Sequence, residues 1–154
     1  MRSPRSPLLV LAILFTAFFV MVSTATAQHE HAADEEAAIR QAVDHYLQGH
    51  ATGDGSHFRV VFHPESKLFW MRNGELNQRT SEAFIGGASG KPAKDEAQRK
   101  RRIAMVDVTG SAAVVKVELD YPSAMITDYF AMLKVDGDWK IMNKIFHVES
   151  RGDR

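Results

Sequence analysis

Apolar residues recur with the period of an α-helix in the segment that follows residue 34. The positions on this stripe are Ile39, Ala42, Val43, Tyr46, Leu47 and His50. Their spacing places them on one face of a helix. Asp34 is suited to cap that helix, and Glu35 and Glu36 suit its first turn because a helix N-terminus attracts negative charge. The pattern therefore predicts an amphipathic helix that ends near Gly53.

Two further signals divide the next segment into a short helix and a hairpin. Asp54 is a typical N-cap, and Pro64 ends the helix because the residue before a proline disfavours helical backbone. Asn73-Gly74 lies between two stretches of strand-forming residues. This dipeptide favours a type I′ turn, so we predict a β-hairpin. A third, short helix is expected after Thr80 or Ser81, followed by an exposed loop.

The second half of the chain alternates between apolar and polar residues, as strands do. The clearest alternation places Ala113, Val115, Val117, Leu119 and Tyr121 on one side. Residues from Arg102 to Thr109 form another predicted strand. Helices grouped early and strands grouped late indicate an α+β domain, in which one curved antiparallel sheet carries three helices from the N-terminal half on its concave face.

The last hairpin organises the predicted sheet, because Asp136-Gly137-Asp138 separates two apolar runs. A three-residue loop at this point sets Val135 opposite Trp139. The pairs that follow on the same side are Leu133 with Ile141, Ala131 with Asn143, Tyr129 with Ile145 and Thr127 with His147. A two-residue loop sets Lys134 opposite Trp139 and mixes charged with apolar positions, so we favour the longer loop.

The side of this hairpin that carries Val135 and Trp139 lacks charges, so we expect it to face the first helix as the floor of a pocket. Apolar walls with a few polar groups suit a small-molecule site. The predicted pocket residues are Tyr46, Trp70, Thr127, Tyr129, Asn143 and His147. His147 is a candidate general acid or base because imidazole titrates near neutral pH, and Tyr129 is suited to polarise a carbonyl group.

Asp128 alternates to the opposite side of the hairpin in this register, diagonal to Lys144. A structural ion pair is favoured there over a catalytic acid. If the register differs, Asp128 faces inward and becomes the strongest candidate for a general base. The sequence therefore assigns no catalytic residue, and His147 and Asp128 are the candidates.

The side opposite the predicted pocket carries a contiguous set of apolar residues. They are Ile126, Phe130, Met132, Met142, Phe146 and Val148. A solvent-facing sheet seldom carries so large an apolar surface. We therefore predict a homodimer through these residues, since closed dimers use the same patch on both copies.

Residues 1–27 have the organisation of a secretory signal peptide. Arg2 and Arg5 precede an uncharged apolar stretch that is too short for a membrane-spanning helix, which needs about 20 residues. Ala25-Thr26-Ala27 is suited to cleavage. We expect a flexible N-terminus at residues 28–33, a domain at residues 34–149 and a tail at residues 150–154. The mature protein is then exported, either periplasmic or secreted, and not bound to a membrane.

Composition narrows the function classes. Lys plus Arg and Asp plus Glu both number 19, and cysteine is absent. Attraction to nucleic acid by net charge, disulfides and thiol chemistry are therefore not expected. His29 and His31 have a spacing that is found in copper and nickel sites, but a disordered tail is favoured. We expect no metal and no cofactor.

The chain ends in a specific pattern, D-Y-x-x-x-L-K-x-D-G-x-W-K-I-x-N-K-x-F, from Asp128 to Phe146. Together with AIRQAVDHYLQGHATGD, FHPESKLF and TSEAFIG, it resembles the nuclear transport factor 2-like superfamily. Within it, the chain is similar to the small proteins labelled lumazine-binding, which are SnoaL-like. The resemblance covers roughly residues 35–149. It implies a cone-shaped α+β fold, a pocket between the concave sheet and the first helix, and dimerisation through the sheet.

This resemblance does not decide the activity, because the superfamily includes isomerases, dehydratases, polyketide cyclases and transport factors. We predict an exported protein that binds a small, largely apolar molecule, and we favour binding over catalysis. One alternative is an enzyme that acts on a carbonyl compound by general acid–base catalysis. The other is a homodimeric scaffold with a filled pocket. A buried acid or histidine within hydrogen-bond reach of another polar pocket group favours the enzyme.

Overall fold

The elements of the protein follow the predicted order in a computed structural model, which describes residues 32–152. Helix α1 occupies residues 32–52. Its stripe residues Ile39, Val43 and Tyr46 are fully buried, which confirms the amphipathic helix. The predicted signal peptide lies outside the described residues. Within residues 32–152, no helix has both the length and the hydropathy that crossing a bilayer requires.

Capping and turn residues fix the short elements that follow α1. Helix α2 spans Gly55–Val61 and begins where the Asp54 carboxylate accepts a hydrogen bond from the Ser56 amide, at 2.8 Å. Strands β1 (Phe62–Arg72) and β2 (Glu75–Thr80) form the predicted hairpin. Its turn residues Asn73 and Gly74 have φ values of 54° and 81°, as a type I′ turn requires. Helix α3 (Ser81–Gly86) is capped by Thr80.

The remaining strands complete a six-stranded sheet. They are β3 (Lys100–Thr109), β4 (Ala112–Tyr121), β5 (Ala124–Val135) and β6 (Asp138–Ser150), preceded by a 3₁₀ turn at Glu96–Gln98. The order across the sheet is β2-β1-β6-β5-β4-β3. All neighbours pair antiparallel except β1 and β6, which pair parallel. The prediction of a wholly antiparallel sheet was therefore wrong for this one pair of strands. The long chain segment between β1 and β6 acts as the crossover that parallel neighbours need.

The hydrophobic core lies between the inner face of this sheet and the helices. On β4, the predicted inward set is buried throughout: Ala113, Val115, Val117, Leu119 and Tyr121. These side chains pack in one cluster with Ile39, Val43 and Tyr46 of α1. The alternation along β4 therefore predicted the inner face correctly.

The turn between β5 and β6 is shorter than predicted. Asp136 and Gly137 have φ values of 53° and 91°, so the hairpin closes with a two-residue turn and Lys134 pairs with Trp139. Glu35 of α1 makes this arrangement favourable. Its carboxylate lies 2.6 Å from Lys134 Nζ and accepts a hydrogen bond of 2.9 Å from Trp139 Nε1. The predicted three-residue loop was therefore wrong, because Lys134 and Trp139 share a partner in a distant helix.

A β-bulge then shifts the register by one residue. Met132 pairs with Ile141 and Ala131 pairs with Asn143, so Met142 is the additional residue. Beyond the bulge, the predicted pairs of Tyr129 with Ile145 and Thr127 with His147 are present. One extra residue moves every later side chain of β6 to the other face of the sheet.

As a consequence, the predicted assignment of faces on β5 and β6 was wrong. Asp128, Phe130, Met132 and Lys144 are buried on the inner face, with exposed fractions of 0 to 4%. On the outer face, the exposed residues include Tyr129, Leu133 and Ile145. Trp139 and Ile141, which precede the bulge on β6, are buried as expected.

Candidate functional site

Three polar side chains meet inside the cone, where water is excluded. The Tyr46 hydroxyl donates a hydrogen bond of 2.7 Å to Asp128 Oδ2. The Lys144 ammonium donates one of 2.5 Å to the Tyr46 oxygen, and its Nζ lies 2.8 Å from Asp128 Oδ1. All three residues are buried. We call Tyr46, Asp128 and Lys144 the inner triad.

Local structure explains why these side chains converge. Tyr46 lies on the buried stripe of α1. Asp128 pairs across the ladder with Phe146, and Phe130 pairs with Lys144, so Asp128 and Lys144 are diagonal neighbours on the same face. Diagonal neighbours lie within reach of long side chains. The predicted ion pair between Asp128 and Lys144 is confirmed, but it lies on the inner face and not on the outer one.

Aromatic rings enclose the inner triad. Lys144 Nζ lies 5.0 Å from the ring centroid of Tyr46, 5.5 Å from that of Phe84 and 4.7 Å from that of Phe146. The Tyr46 ring also packs edge-on against Phe130, at 4.8 Å. Ring faces stabilise an ammonium group, but far less than water does.

This environment shifts the titration of two members of the triad. Burial raises the pKa of Tyr46 well above its usual range, and the Asp128 carboxylate raises it further. Burial lowers the pKa of Lys144, an effect that Asp128 opposes and that the nearby Arg79 guanidinium adds to. Tyr46 therefore stays a neutral hydrogen-bond donor, while the ammonium form of Lys144 is less favoured than that of an exposed lysine.

Within the described part of the chain, two buried polar side-chain atoms lack a hydrogen-bond partner: His50 Nε2 and Asp128 Oδ1. The contact of Asp128 Oδ1 with the Lys144 ammonium is close, but it is not aligned as a hydrogen bond. The His50 ring lies edge-on to Tyr46 at 4.7 Å. Such atoms are rare in protein interiors. Both atoms belong to residues that contact Tyr46. His50 Nε2 and Asp128 Oδ1 could therefore each form one more hydrogen bond in the interior.

His50 is held in its neutral form. Burial lowers its pKa well below 6.5, and the positive charges of Lys144, Arg101 and Arg99 lower it further. His50 lies on the predicted helical stripe, but no role was predicted for it. Its position one turn after Tyr46 was the available signal, because residues four apart share a helix face.

A cleft of about 480 Å³ lies next to the inner triad, at the edge of the sheet. Trp70 and Phe146 stack in its wall, with ring centroids 5.2 Å apart, and His147 and Ser150 also line it. Arg79 lies in this cleft with its guanidinium 5.2 Å from the Trp70 centroid.

Arg79 connects the cleft to the interior. Its guanidinium also lies 5.5 Å from the Phe84 ring, which packs against the Lys144 ammonium. Among residues 32–152, no carboxylate forms an ion pair with Arg79. Arg79 was not predicted as a site residue, because nothing in the sequence of β2 distinguishes it from an ordinary exposed strand residue.

The predicted pocket residues are divided between three places. Trp70 and His147 line the cleft, and Tyr46 lies in the interior. Thr127, Tyr129 and Asn143 lie on the outer face, where Tyr129 is 40% exposed. Tyr46 is therefore separated by the sheet from the residues of the outer face, whereas His147 pairs with Thr127 across the ladder and lies on the same face as Thr127 and Tyr129.

The predicted dimer interface is also divided. Phe130 and Met132 are buried in the core, and Ile126 and Phe146 pack against it. These four side chains do not form an outer surface. Met142 is half-buried at the bulge, and Val148 is 43% exposed beside the cleft.

A different apolar surface is present on the outer face. Its members are Phe69, Met71, Leu76, Tyr129 and Ile145, which line a shallow groove of about 370 Å³. We call this set the outer patch. Leu76 is 70% exposed and Ile145 56%, so these side chains are the ones a partner would cover.

Metal-ligating residues do not cluster in the described segment: between residues 32 and 152, no three of His, Cys, Asp and Glu are placed to hold an ion. His29 and His31 lie outside the described residues, so the two alternatives for them, a metal site and a disordered tail, stay predictions.

Comparisons with known proteins agree with this architecture. Aldolase FrzH from Cladobotryum sp is 27% identical over 127 residues, which cover 81% of this chain and 99% of that protein. A nuclear transport factor 2-like protein of unknown function from Shewanella baltica OS155 superposes with a TM-score of 0.69 at 25% identity, over 76% of this chain and 95% of that one. A similar protein from Silicibacter pomeroyi DSS-3 gives 0.67 at 23% identity, over 77% and 98%.

The family itself is established by a sequence profile. The profile of the family described as "Putative lumazine-binding" matches residues 34–147, most of the chain. The solved structures above superpose on this fold over about three quarters of the chain. The chain therefore belongs to this lumazine-binding-type family, within the nuclear transport factor 2-like superfamily.

Proposed function

We propose that the chain binds a small organic acid in the cleft formed by Trp70, Arg79, Phe146 and His147. The observation that carries this proposal is Arg79. Its guanidinium lies against an aromatic wall inside a concave site and has no carboxylate partner among residues 32–152. A planar guanidinium is well suited to bind a carboxylate through two hydrogen bonds. The ligand that this cleft favours is therefore less apolar than the sequence suggested.

A matched pair of probes tests the proposal. 4-Hydroxybenzoate and 4-hydroxybenzamide share a ring and a size but differ in charge. Calorimetric titration should detect the acid and find the amide much weaker. Arg79→Gln should weaken acid binding about tenfold or more, because a charged hydrogen-bonded contact is lost. Equal binding of acid and amide contradicts the proposal.

Arg59→Gln is the control for the charge change. Arg59 is an exposed arginine in the last turn of α2 and does not line the cleft. Its substitution should leave the affinity for 4-hydroxybenzoate unchanged. If Arg59→Gln and Arg79→Gln weaken binding equally, the effect comes from net charge and not from the cleft.

A second function is favoured by the inner triad, namely acid–base catalysis on a carbonyl compound. Asp128 is a buried acid within hydrogen-bond reach of Tyr46 and beside Lys144. The Asp128 carboxylate is placed to remove a proton from the carbon next to a carbonyl. The Lys144 ammonium and the Tyr46 hydroxyl are placed to stabilise the resulting enolate oxygen. The aldolase name of the Cladobotryum relative supports this direction, since aldol reactions proceed through such enolates.

Proton exchange measures this activity without knowledge of the natural substrate. Pyruvate in D₂O should exchange its methyl protons faster with the protein than without it, as followed by proton NMR. Asp128→Asn should abolish the acceleration. Asp107→Asn, at an exposed position on β3, should retain it. Exchange at the buffer rate, or exchange that survives Asp128→Asn, contradicts catalysis by the triad.

Export and self-association are also part of the proposal. Residues 1–27 support export through their signal-like organisation. The outer patch supports a homodimer, because contiguous exposed apolar side chains favour burial against a second copy.

A further inference from the structure

Lys144 occupies an unfavourable position for an ammonium group. Its side chain is 5% exposed and its partners are the Tyr46 oxygen and the Asp128 carboxylate. The rest of its surroundings includes the rings of Phe84 and Phe146. Burying a charge pair of this kind seldom adds stability compared with apolar residues of the same volume. A chemical role for the Lys144 amine accounts for a position that packing alone does not require.

The geometry allows the ammonium to lose its proton locally. Asp128 Oδ1 lies 2.8 Å from Nζ and forms no aligned hydrogen bond, so it is free to accept that proton. Transfer converts the charged pair into a neutral amine and a neutral carboxylic acid. A lysine placed in an apolar site or next to a second cation is a recognised form of activated nucleophile, and Lys144 has both features, the cation being Arg79.

Phe146 separates this amine from the cleft. Its ring lines the cleft on one side and lies 4.7 Å from Lys144 Nζ on the other. Access of a small molecule from the cleft to the amine therefore requires rotation of the Phe146 side chain.

We propose that Lys144 forms a protonated imine with a small 2-oxo acid that enters through this cleft. The proposal rests on the carbonyl-directed function of the same site. The carboxylate of the 2-oxo acid pairs with Arg79, and its carbonyl carbon is attacked by the Lys144 amine. The structure supplies a cation, an amine and a proton-transfer group in that order from the cleft inward.

The reaction balances without any further reagent. Lys144 gives one proton to Asp128, and its nitrogen lone pair forms a bond to the carbonyl carbon. The carbonyl oxygen gains a proton from the same nitrogen, which gives a carbinolamine. The carbon–oxygen bond then breaks, the hydroxyl takes the proton back from Asp128, and water leaves. The products are a protonated imine on Lys144, a carboxylate on Asp128 and one water.

Reductive trapping tests the imine directly. The full chain is incubated with pyruvate and sodium cyanoborohydride, digested, and mapped by mass spectrometry. Hydride addition converts an imine into a stable secondary amine at the lysine that formed it. We expect modification at Lys144 at a rate roughly tenfold or more above that at the exposed Lys67. Modification of Lys67 at an equal or greater rate than Lys144 overturns the proposal.

Variants separate the parts of the mechanism. Arg79→Gln should slow the trapping of pyruvate but not that of acetone, which has no carboxylate. Phe146→Leu should speed trapping at Lys144, because a smaller side chain leaves the route from the cleft more open. Slower trapping in Phe146→Leu, or equal loss with both probes in Arg79→Gln, contradicts entry through the cleft. Wild-type peptide mapping decides the site even if a Lys144 variant fails to fold.

The outcome also separates this inference from the proposed catalysis. Asp128-dependent exchange of pyruvate protons without an adduct at Lys144 overturns the imine and leaves acid–base catalysis standing. Absence of both exchange and adduct overturns both. An adduct at Lys144 without exchange supports the imine and contradicts enolate formation.

Discussion

The inner and outer faces of β5 and β6 are built from similar residue types but have opposite environments. Phe130 is 1% exposed and its neighbour Tyr129 is 40% exposed. The inner face holds an acid, a lysine and apolar side chains around Tyr46, and the outer face holds aromatic and aliphatic side chains in the outer patch. The outer face also carries the polar residues Thr127, Asn143 and His147, so both faces combine apolar and polar residues. The hydrophobic pattern of this hairpin therefore does not identify its buried side.

Removing a charge from an ion pair should show the largest difference in stability between the buried pair and an exposed one. Asp128→Asn leaves the Lys144 ammonium without its counter-charge inside the core, so we expect the free energy of unfolding to fall by about 3–5 kcal/mol. Asp138→Asn removes the exposed partner of Lys140, and we expect a change within about 0.5 kcal/mol. Guanidinium denaturation measures both values.

Removing both inner charges sharpens this test. The double variant Asp128→Leu with Lys144→Met should be markedly more stable than Asp128→Asn alone, because no unpaired charge remains. If Asp128→Asn and Asp138→Asn have equal effects, the inner ion pair contributes no more than a surface one.

Truncation of two adjacent apolar residues on β5 should show the next largest difference in the free energy of unfolding. Met132→Ala removes a core side chain and should lower the free energy of unfolding by about 2–5 kcal/mol. Leu133→Ala, one residue further and 42% exposed, should change it by about 1 kcal/mol or less. The same denaturation experiment applies. A larger loss for Leu133→Ala would mean that the face assignment of β5 is reversed.

The inner and outer histidines should differ in pH dependence. Burial holds the pKa of His50 below the unfolded value of 6.5, so below that pH the unfolded state binds more protons than the folded state. Stability should therefore fall as the pH falls from about 7 towards 5, by up to about 1.4 kcal/mol per pH unit from this group. His50→Phe should flatten the profile.

His147 provides the matched control for this profile. It is exposed on the outer face, so His147→Gln should leave the slope of stability against pH unchanged. Denaturation curves at several pH values measure the slope. An unchanged slope in His50→Phe would show that His50 is not held neutral by burial.

The outer patch should show the smallest effect on folding but a clear effect on association. Ile145→Glu should change the free energy of unfolding of the monomer by about 0.5 kcal/mol or less, because Ile145 is 56% exposed. It should nevertheless convert the predicted dimer into a monomer in sedimentation velocity. Met105→Glu, on the edge strand β3, is the control and should remain dimeric. A wild-type monomer at micromolar concentration contradicts the dimer.

Much of the fold could be predicted from local patterns. The α1 stripe with Tyr46, the Asn73-Gly74 turn, the Thr80 cap and the alternation from Ala113 to Tyr121 each depend on residues close together in sequence. The structure confirms all four. Local rules succeed here because a cap, a tight turn or a half-buried strand needs only its own neighbours to form.

The candidate site could be predicted only in part. Tyr46, Trp70 and His147 were placed near a pocket, and the ion pair of Asp128 with Lys144 was expected. Burial of this ion pair was not expected. The preferred register was chosen to avoid Lys134 opposite Trp139, and it placed Asp128 and Lys144 on the side away from the helices. His50 and Arg79 were missed as site residues, since their importance comes from what lies around them in space.

The family, the order of the elements and most of the core follow from the sequence, because they depend on periodicity and on short-range signals. The buried face of the last hairpin depends instead on contacts between distant parts of the chain. Two features set that face: the Glu35 carboxylate of α1, which binds Lys134 and Trp139, and the extra residue Met142 in the ladder. A contact across 99 residues and a one-residue bulge leave no local pattern, yet together they place Asp128 and Lys144 beside Tyr46 inside the cone.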